Sequence, residues 1–112
     1  MTLANTSKAR ISVSIQIKAK AGQEKNLAEF LAAAGSIVRQ TEPATLAWFA
    51  YQIDERTFCI YDVFDDENGV NAHFSGKAAA ALKEKAGEFI EGGWEKGVVE
   101  NIRKFTVLSS AY

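Results

Sequence analysis

Cysteine, histidine, proline and methionine are each present once in the 112 residues, and each scarcity removes a class of function. The lone Cys59 cannot close an internal disulfide, and one cysteine with one histidine, His73, cannot build a zinc site from protein ligands, so no metal is expected. No sign of charge dominates: thirteen Lys and Arg against fourteen Asp and Glu leave a formal charge of −1. With no basic stripe and no RNA-binding signature, a nucleic-acid partner is not expected. No apolar run reaches the ~20 residues that cross a bilayer. The polar segment Met1 to Arg10 lacks the apolar centre of a signal peptide. The expectation is a cytoplasmic protein with no membrane partner.

What the chain does have is an ordinary globular balance, 47% hydrophobic and 24% charged, at a length that suits one domain. Residues 1–10 read as a flexible arm and 11–112 as a single domain. Ile11, Val13, Ile15 and Ile17 alternate with Ser12, Ser14, Gln16 and Lys18, the period of two of a half-buried strand. Leu27, Phe30, Leu31, Ala34 and Val38 recur at helical spacing and predict a helix from about Gln23 to Gln40, which Pro43 ends. Leu46–Ile53 and Thr57–Phe64 predict a hairpin through Asp54-Glu55-Arg56. Asp65 or Asp66 can cap a short helix that runs to Ala72-His73-Phe74. Lys77 to Phe89 predicts a further helix; Gly92, Gly93 and Gly97 mark a flexible connection around Trp94; Val98 to Leu108 predicts a last strand.

The order β-α-β-β-α-α-β is a ferredoxin-like α+β plan, with helices on one side of a four-stranded antiparallel sheet. Strand two is apolar on both sides: Leu46, Trp48 and Ala50 on one, Ala47, Phe49, Tyr51 and Ile53 on the other. A lone domain would leave one set wet, a larger patch than monomers tolerate. A homodimer packed sheet to sheet is therefore expected, with the late strand and the Ser109–Tyr112 tail reaching over the partner.

Four blocks carry a family resemblance. Residues 13–24, a strand leading through Lys20-Ala21-Gly22 into a helix, resemble the opening of the antibiotic biosynthesis monooxygenase domain. Glu42-Pro43-Ala44-Thr45-Leu46 is similar to that family's Glu-Pro-Gly-Cys-Leu segment. Phe58-Cys59-Ile60-Tyr61-Asp62-Val63-Phe64 resembles its Phe-x-Leu-Tyr-Glu-x-Trp strand, and Ala72-His73-Phe74 its Ala-His-Phe helix. Asp62 stands where Glu is usual, Phe64 where Trp is usual, and Ala44 where Gly is common. The resemblance implies a dimeric α/β barrel and an activity found in some members: oxidation of quinols or anthrones with dioxygen, using no metal, flavin or haem. The haem-degrading branch is disfavoured. Its Asn, Trp and His are replaced by Ser14 or Gln16, by Phe64, and by a helix Lys77–Phe89 without histidine.

His73 shares one side of its short helix with Val70 and Phe74. With an ordinary pKa near 6.5, its imidazole can take a proton from a phenol or quinol, and the deprotonated ring can pass an electron to dioxygen. It can equally be a packing residue bonded to a backbone carbonyl. Asp62, in mid-strand among apolar neighbours, must be paired or solvated; Arg39 or Arg103 can pair with it, or it faces a polar groove. Trp48 is a wall for an aromatic substrate or a filler of the dimer interface. Tyr61, Phe64 and Phe74 line the pocket or the core, and Tyr61 can donate to a quinone oxygen. Trp94 is a lid or an anchor for its loop, and Cys59 a small buried hydrophobe.

The expected function is thus a cofactor-independent monooxygenase acting on a small aromatic or quinol-type molecule with dioxygen, His73 and Asp62 assisting proton removal. Two alternatives are a non-enzymatic dimeric ligand-binding or stress-response module and an isomerase or decyclase on the same barrel. An acylphosphatase is excluded because Lys20-Ala21-Gly22-Gln23 lacks arginine and a glycine-rich anion cradle.

Overall fold

The computed structural model describes residues 8–111. Most of the proposed N-terminal arm, and Tyr112 of the proposed tail, lie outside the described residues. Strand β1 (Ile11–Lys18) leads into helix α1 (Glu24–Thr41), and the hairpin β2 (Thr45–Gln52) and β3 (Thr57–Phe64) follows. Helices α2 (Glu67–Phe74), α3 (Lys77–Phe89) and α4 (Gly93–Gly97), then a 3-10 turn (Val99–Asn101), precede strand β4 (Ile102–Thr106). The strands form one antiparallel sheet in the order β2-β3-β1-β4. This is the expected α+β ferredoxin-like arrangement.

The alternation in β1 puts Val13, Ile15 and Ile17 on the helix side, where each is almost fully buried. Leu27, Leu31, Ala34 and Val38 of α1 face them, and Leu82, Ala86 and Phe89 of α3 complete the core. The hairpin closes through Asp54, whose Oδ1 accepts from the backbone N–H of Arg56 at 3.0 Å and of Thr57 at 2.9 Å. Of the two candidate caps, Asp66 is the one used: its Oδ1 accepts from Gly69 N–H at 3.0 Å and starts α2 about two turns before His73.

Strand β2 is indeed apolar on both faces. Trp48 and Ala50 pack against the core, whereas Phe49, Tyr51 and Ile53 are 57, 50 and 51% exposed on the helix-free face. Phe49 stacks on Tyr61 of β3 there, ring centroids 6.5 Å apart.

The last strand is shorter than the sequence predicts. Val98 to Asn101 are not extended, because their N–H groups are used locally: Val98 donates to Trp94 O at 3.1 Å and Asn101 to Val98 O at 3.0 Å. Gly92 and Gly93, at φ +86 and +67, supply the left-handed backbone that turns the chain into α4. The glycine-flanked segment around Trp94 is therefore a short helix rather than a flexible connection. Val98 enters the core from a turn, 1% exposed, and its β-branched character marks burial here rather than a strand.

Candidate functional site

Three titratable side chains meet at the C-terminal end of α2. His73 Nδ1 lies 2.5 Å from Glu42 Oε1, and Nε2 lies 3.1 Å from Asp62 Oδ2. All three are buried, at 6, 8 and 1% exposure. Each reaches the centre for a local reason. His73 sits one turn beyond Val70 on the buried side of α2. Asp62 points to the helix side of β3, in register between Val13 of β1 and Trp48 of β2. Glu42 is the residue after α1, fixed by its N–H to Val38 O at 2.9 Å, with Thr45 Oγ1 donating to its Oε1 at 2.9 Å. The rings of Phe64 and Phe74 flank the imidazole at 5.5 and 5.4 Å between centroids.

Burial alone would push the His73 imidazole down, but the two carboxylates outweigh it and hold the proton affinity above the ordinary 6.5. Burial pushes Asp62 up from its ordinary 3.8; His73 pulls the other way and the Glu42 charge adds to the rise. The Asp62 contact to Nε2 is close enough for an ion pair but poorly aligned for a hydrogen bond. Both Asp62 oxygens, and Oε2 of Glu42, lack a hydrogen-bond partner among the described residues. Asp62 and His73 therefore act as a coupled pair, each shifting the other.

Two cavities border this cluster. An inner apolar cleft of about 30 Å³ between sheet and helices is lined by Trp48, Ile60, His73, Leu82 and Trp94, among others. An outer cavity of about 400 Å³ is lined by Glu42, Pro43, His73, Ser75, Gly76 and Lys77 with their neighbours. His73 borders both. A larger depression of about 730 Å³ runs along the helix-free face of β1 and touches none of these residues, so the buried cluster and not cavity size marks the candidate site.

The structure thus brings His73 and Asp62 together and sets Trp48 and Trp94 around the same cleft. Phe64 and Phe74 flank the imidazole from the core side, while Tyr61 lies on the opposite face of the sheet beside Phe49. The pairing of Asp62 with Arg39 or Arg103 is not what forms: His73 fills that role, and Arg103 instead donates to the carbonyls of Glu100 and Ile102. His73 bonds a carboxylate, not a backbone carbonyl. Trp94 lies 6.0 Å under the Lys83 ammonium, and Cys59 is buried as expected. Glu42 is the member that sequence reasoning missed. Among the described residues no three His, Cys, Asp or Glu side chains are arranged to hold a cation, and no helix is long and apolar enough to cross a membrane.

The family model for antibiotic biosynthesis monooxygenases matches residues 10–85. A protein of unknown function from Nitrosomonas europaea shares 34% identity and superposes with a TM-score of 0.85, the match covering 94% of this chain and 95% of that one. A candidate antibiotic biosynthesis monooxygenase from Caulobacter crescentus gives a TM-score of 0.74 at 14% identity, over 90% and 92% of the two chains. A similar candidate from Chloroflexus aurantiacus gives 0.69 at 15% identity, over 93% and 98%. At that identity these two bear on the fold alone. A search of curated proteins found no match.

Proposed function

Starting from a chain that belongs to the antibiotic biosynthesis monooxygenase family, we propose that it is a cofactor-independent monooxygenase oxidising a small aromatic or quinol-type substrate with dioxygen. The observation that carries this reading is the position of the only histidine, on the wall of an apolar cleft and held between two buried carboxylates. Trp48 and Trp94 flank the substrate ring, and the Asp62–His73 pair takes its hydroxyl proton. The electron-rich anion then reduces dioxygen. The substrate supplies all four electrons: one oxygen atom stays on the ring and the other leaves as water.

A cleft of about 30 Å³ lies far below the ~300–1,000 Å³ of ordinary ligand sites. Substrate entry therefore requires side chains lining the cleft, Trp48, Leu82 and Trp94 among them, to move apart. A second copy covers the helix-free face through Phe49, Tyr51 and Ile53, which a monomer leaves in water.

Oxygen uptake with several menadiol-like quinols tests the activity. The expected result is turnover above the uncatalysed rate, lost in His73→Gln; rates no higher than background across the series overturn it. The exposed apolar face of β2 fits one other reading as well, a dimeric ligand-binding or stress-response module without turnover. That reading predicts saturable aromatic binding with no oxygen consumed.

A further inference from the structure

We infer that Gly35 is a specificity-determining residue: the room left by its missing side chain lets the Trp48 ring swing out of the inner cleft, and so sets how wide an aromatic molecule can enter. The inference rests on the monooxygenase reading for its substrate but not for its geometry.

Trp48 stands between two hollows. It lines the inner cleft of about 30 Å³ and also a depression of about 340 Å³ on its other side, where Gly35, Val38 and Leu46 are among its neighbours. No other residue lines both. The depression falls at the low end of the ~300–1,000 Å³ of ordinary ligand sites, and the cleft falls far below it. Displacing this one ring therefore joins a space that is too small to one that is large enough. Two other residues divide the cleft from a neighbouring cavity, and neither is free to turn. His73, facing the outer cavity, is held by Glu42 at 2.5 Å and Asp62 at 3.1 Å. Leu31, facing a cavity of about 160 Å³, is 4% exposed and packed in the core.

Trp48 is held more loosely. It is half-buried, on a strand at the edge of the sheet. The β2–β3 ladder also shifts register between Thr45 and Ala47, immediately before it, which interrupts the regular pairing there. Opposite, α1 presents two small residues in succession: Ala34 lines the cleft and Gly35 the depression. A Cβ on residue 35 would lie 3.5 Å from Cζ3 and 3.7 Å from Cε3 of Trp48, an ordinary contact. Alanine therefore fits the resting structure, and it is the better helix former. Glycine inside this 18-residue helix costs stability that the packing does not require. What the missing methyl provides is clearance on the side toward which the ring turns to leave the cleft.

The chain has two tryptophans, and both border the cleft, so quenching of their fluorescence by a quinone follows entry. Menadione, with two fused rings, and benzoquinone, with one, are already oxidised and are not turned over. In stopped-flow mixing with the full-length protein, Gly35→Ala should slow menadione association by on the order of tenfold, the barrier of a ring forced past one extra methyl. Benzoquinone should be slowed less. The melting temperature of Gly35→Ala should equal or exceed that of the wild type. Trp48→Phe, with a shorter ring, should restore fast entry in the Gly35→Ala background. Equal association rates in Gly35→Ala and wild type overturn the inference. So do slowed rates that Trp48→Phe does not restore, a melt lowered by the alanine, or a wild type that neither quinone quenches. Oxygen uptake keeps the two proposals apart. If no quinol is turned over while Gly35→Ala still slows menadione, the monooxygenase reading falls and the gate stands. If the wild type turns over and Gly35→Ala keeps its kcat/KM and association rate, the gate falls and the activity stands.

Discussion

Replacing Asp62 with Asn tests whether burial or the histidine governs the buried cluster. Asp62 is 1% exposed, and burial is the largest influence on its carboxyl, raising it above the ordinary 3.8. A carboxyl raised in the folded state binds its proton more tightly there than in the unfolded chain. Its contribution to stability is therefore greatest below about pH 3.8 and is lost as pH rises through the folded value. His73 is raised as well, so its contribution is present below 6.5 and lost only above that. Between about pH 4 and pH 6 the histidine is protonated in both states, and Asp62 is the one member of the pair whose proton count differs between them. While the native state keeps that proton and the unfolded state does not, stability falls by at most ~1.4 kcal/mol per pH unit, or under ~3 kcal/mol across the window. That is a measurable share of the ~5–15 kcal/mol of an ordinary domain. Asn has nearly the same shape and no proton to lose. Urea unfolding of both proteins at half-unit steps should show the wild type losing stability relative to Asp62→Asn as pH rises through this window. If the wild type gains instead, the carboxylate is ionised and held below its ordinary value by His73, and the argument from burial is wrong.

Two further outcomes follow from packing. Gly97→Ala would place a Cβ 2.4 Å from the Glu91 carbonyl oxygen and 2.8 Å from Ile90 Cγ2, and backbone cannot yield as a side-chain tip can. A loss of ~1–3 kcal/mol or more is expected, visible as a lower melting temperature; an unchanged melt would mean that the α3–α4 junction adjusts freely. Phe49→Glu with Tyr51→Glu puts charge on the exposed apolar face of β2. Sedimentation should then show a dimeric wild type and a monomeric, folded variant; a wild type that is monomeric at micromolar concentration removes the proposed assembly.

The parts of this molecule that were legible in the sequence are those where one local pattern decides one local structure. The period of two in β1, the helical stripe of α1 and the turn at Asp54 each appear where expected, with ends within a residue or two. The β4 boundary was not legible, because Val98 and Val99 carry strand character while the glycines before them impose helical turns. Asp62 stood out as a carboxylate among apolar neighbours, but its partner did not. His73 and Asp62 are eleven positions apart on different elements, and no periodicity links them. Glu42 was hidden by a plausible lesser role, the residue before a helix-ending proline. One signal did exist. A glutamate at a helix C-terminus faces the negative end of the dipole, and a chain has little reason to keep one there unless something cationic or proton-bearing meets it.

The same reasoning bears on why the cluster exists. Two buried carboxyl groups and one imidazole are taken out of water together, and three of the carboxyl oxygens lack a hydrogen-bond partner among the described residues. Exchanging a buried ionic group for apolar residues of similar volume is often neutral or stabilising by ~1–4 kcal/mol. Phe64, Val70 and Phe74 already surround the site with the apolar material such a replacement would extend. Fold stability therefore does not account for Glu42, Asp62 and His73 standing together. The ring borders both the closed cleft and the open cavity, and a titratable group at that boundary suits exchanging a proton with a bound molecule better than it suits holding a domain together.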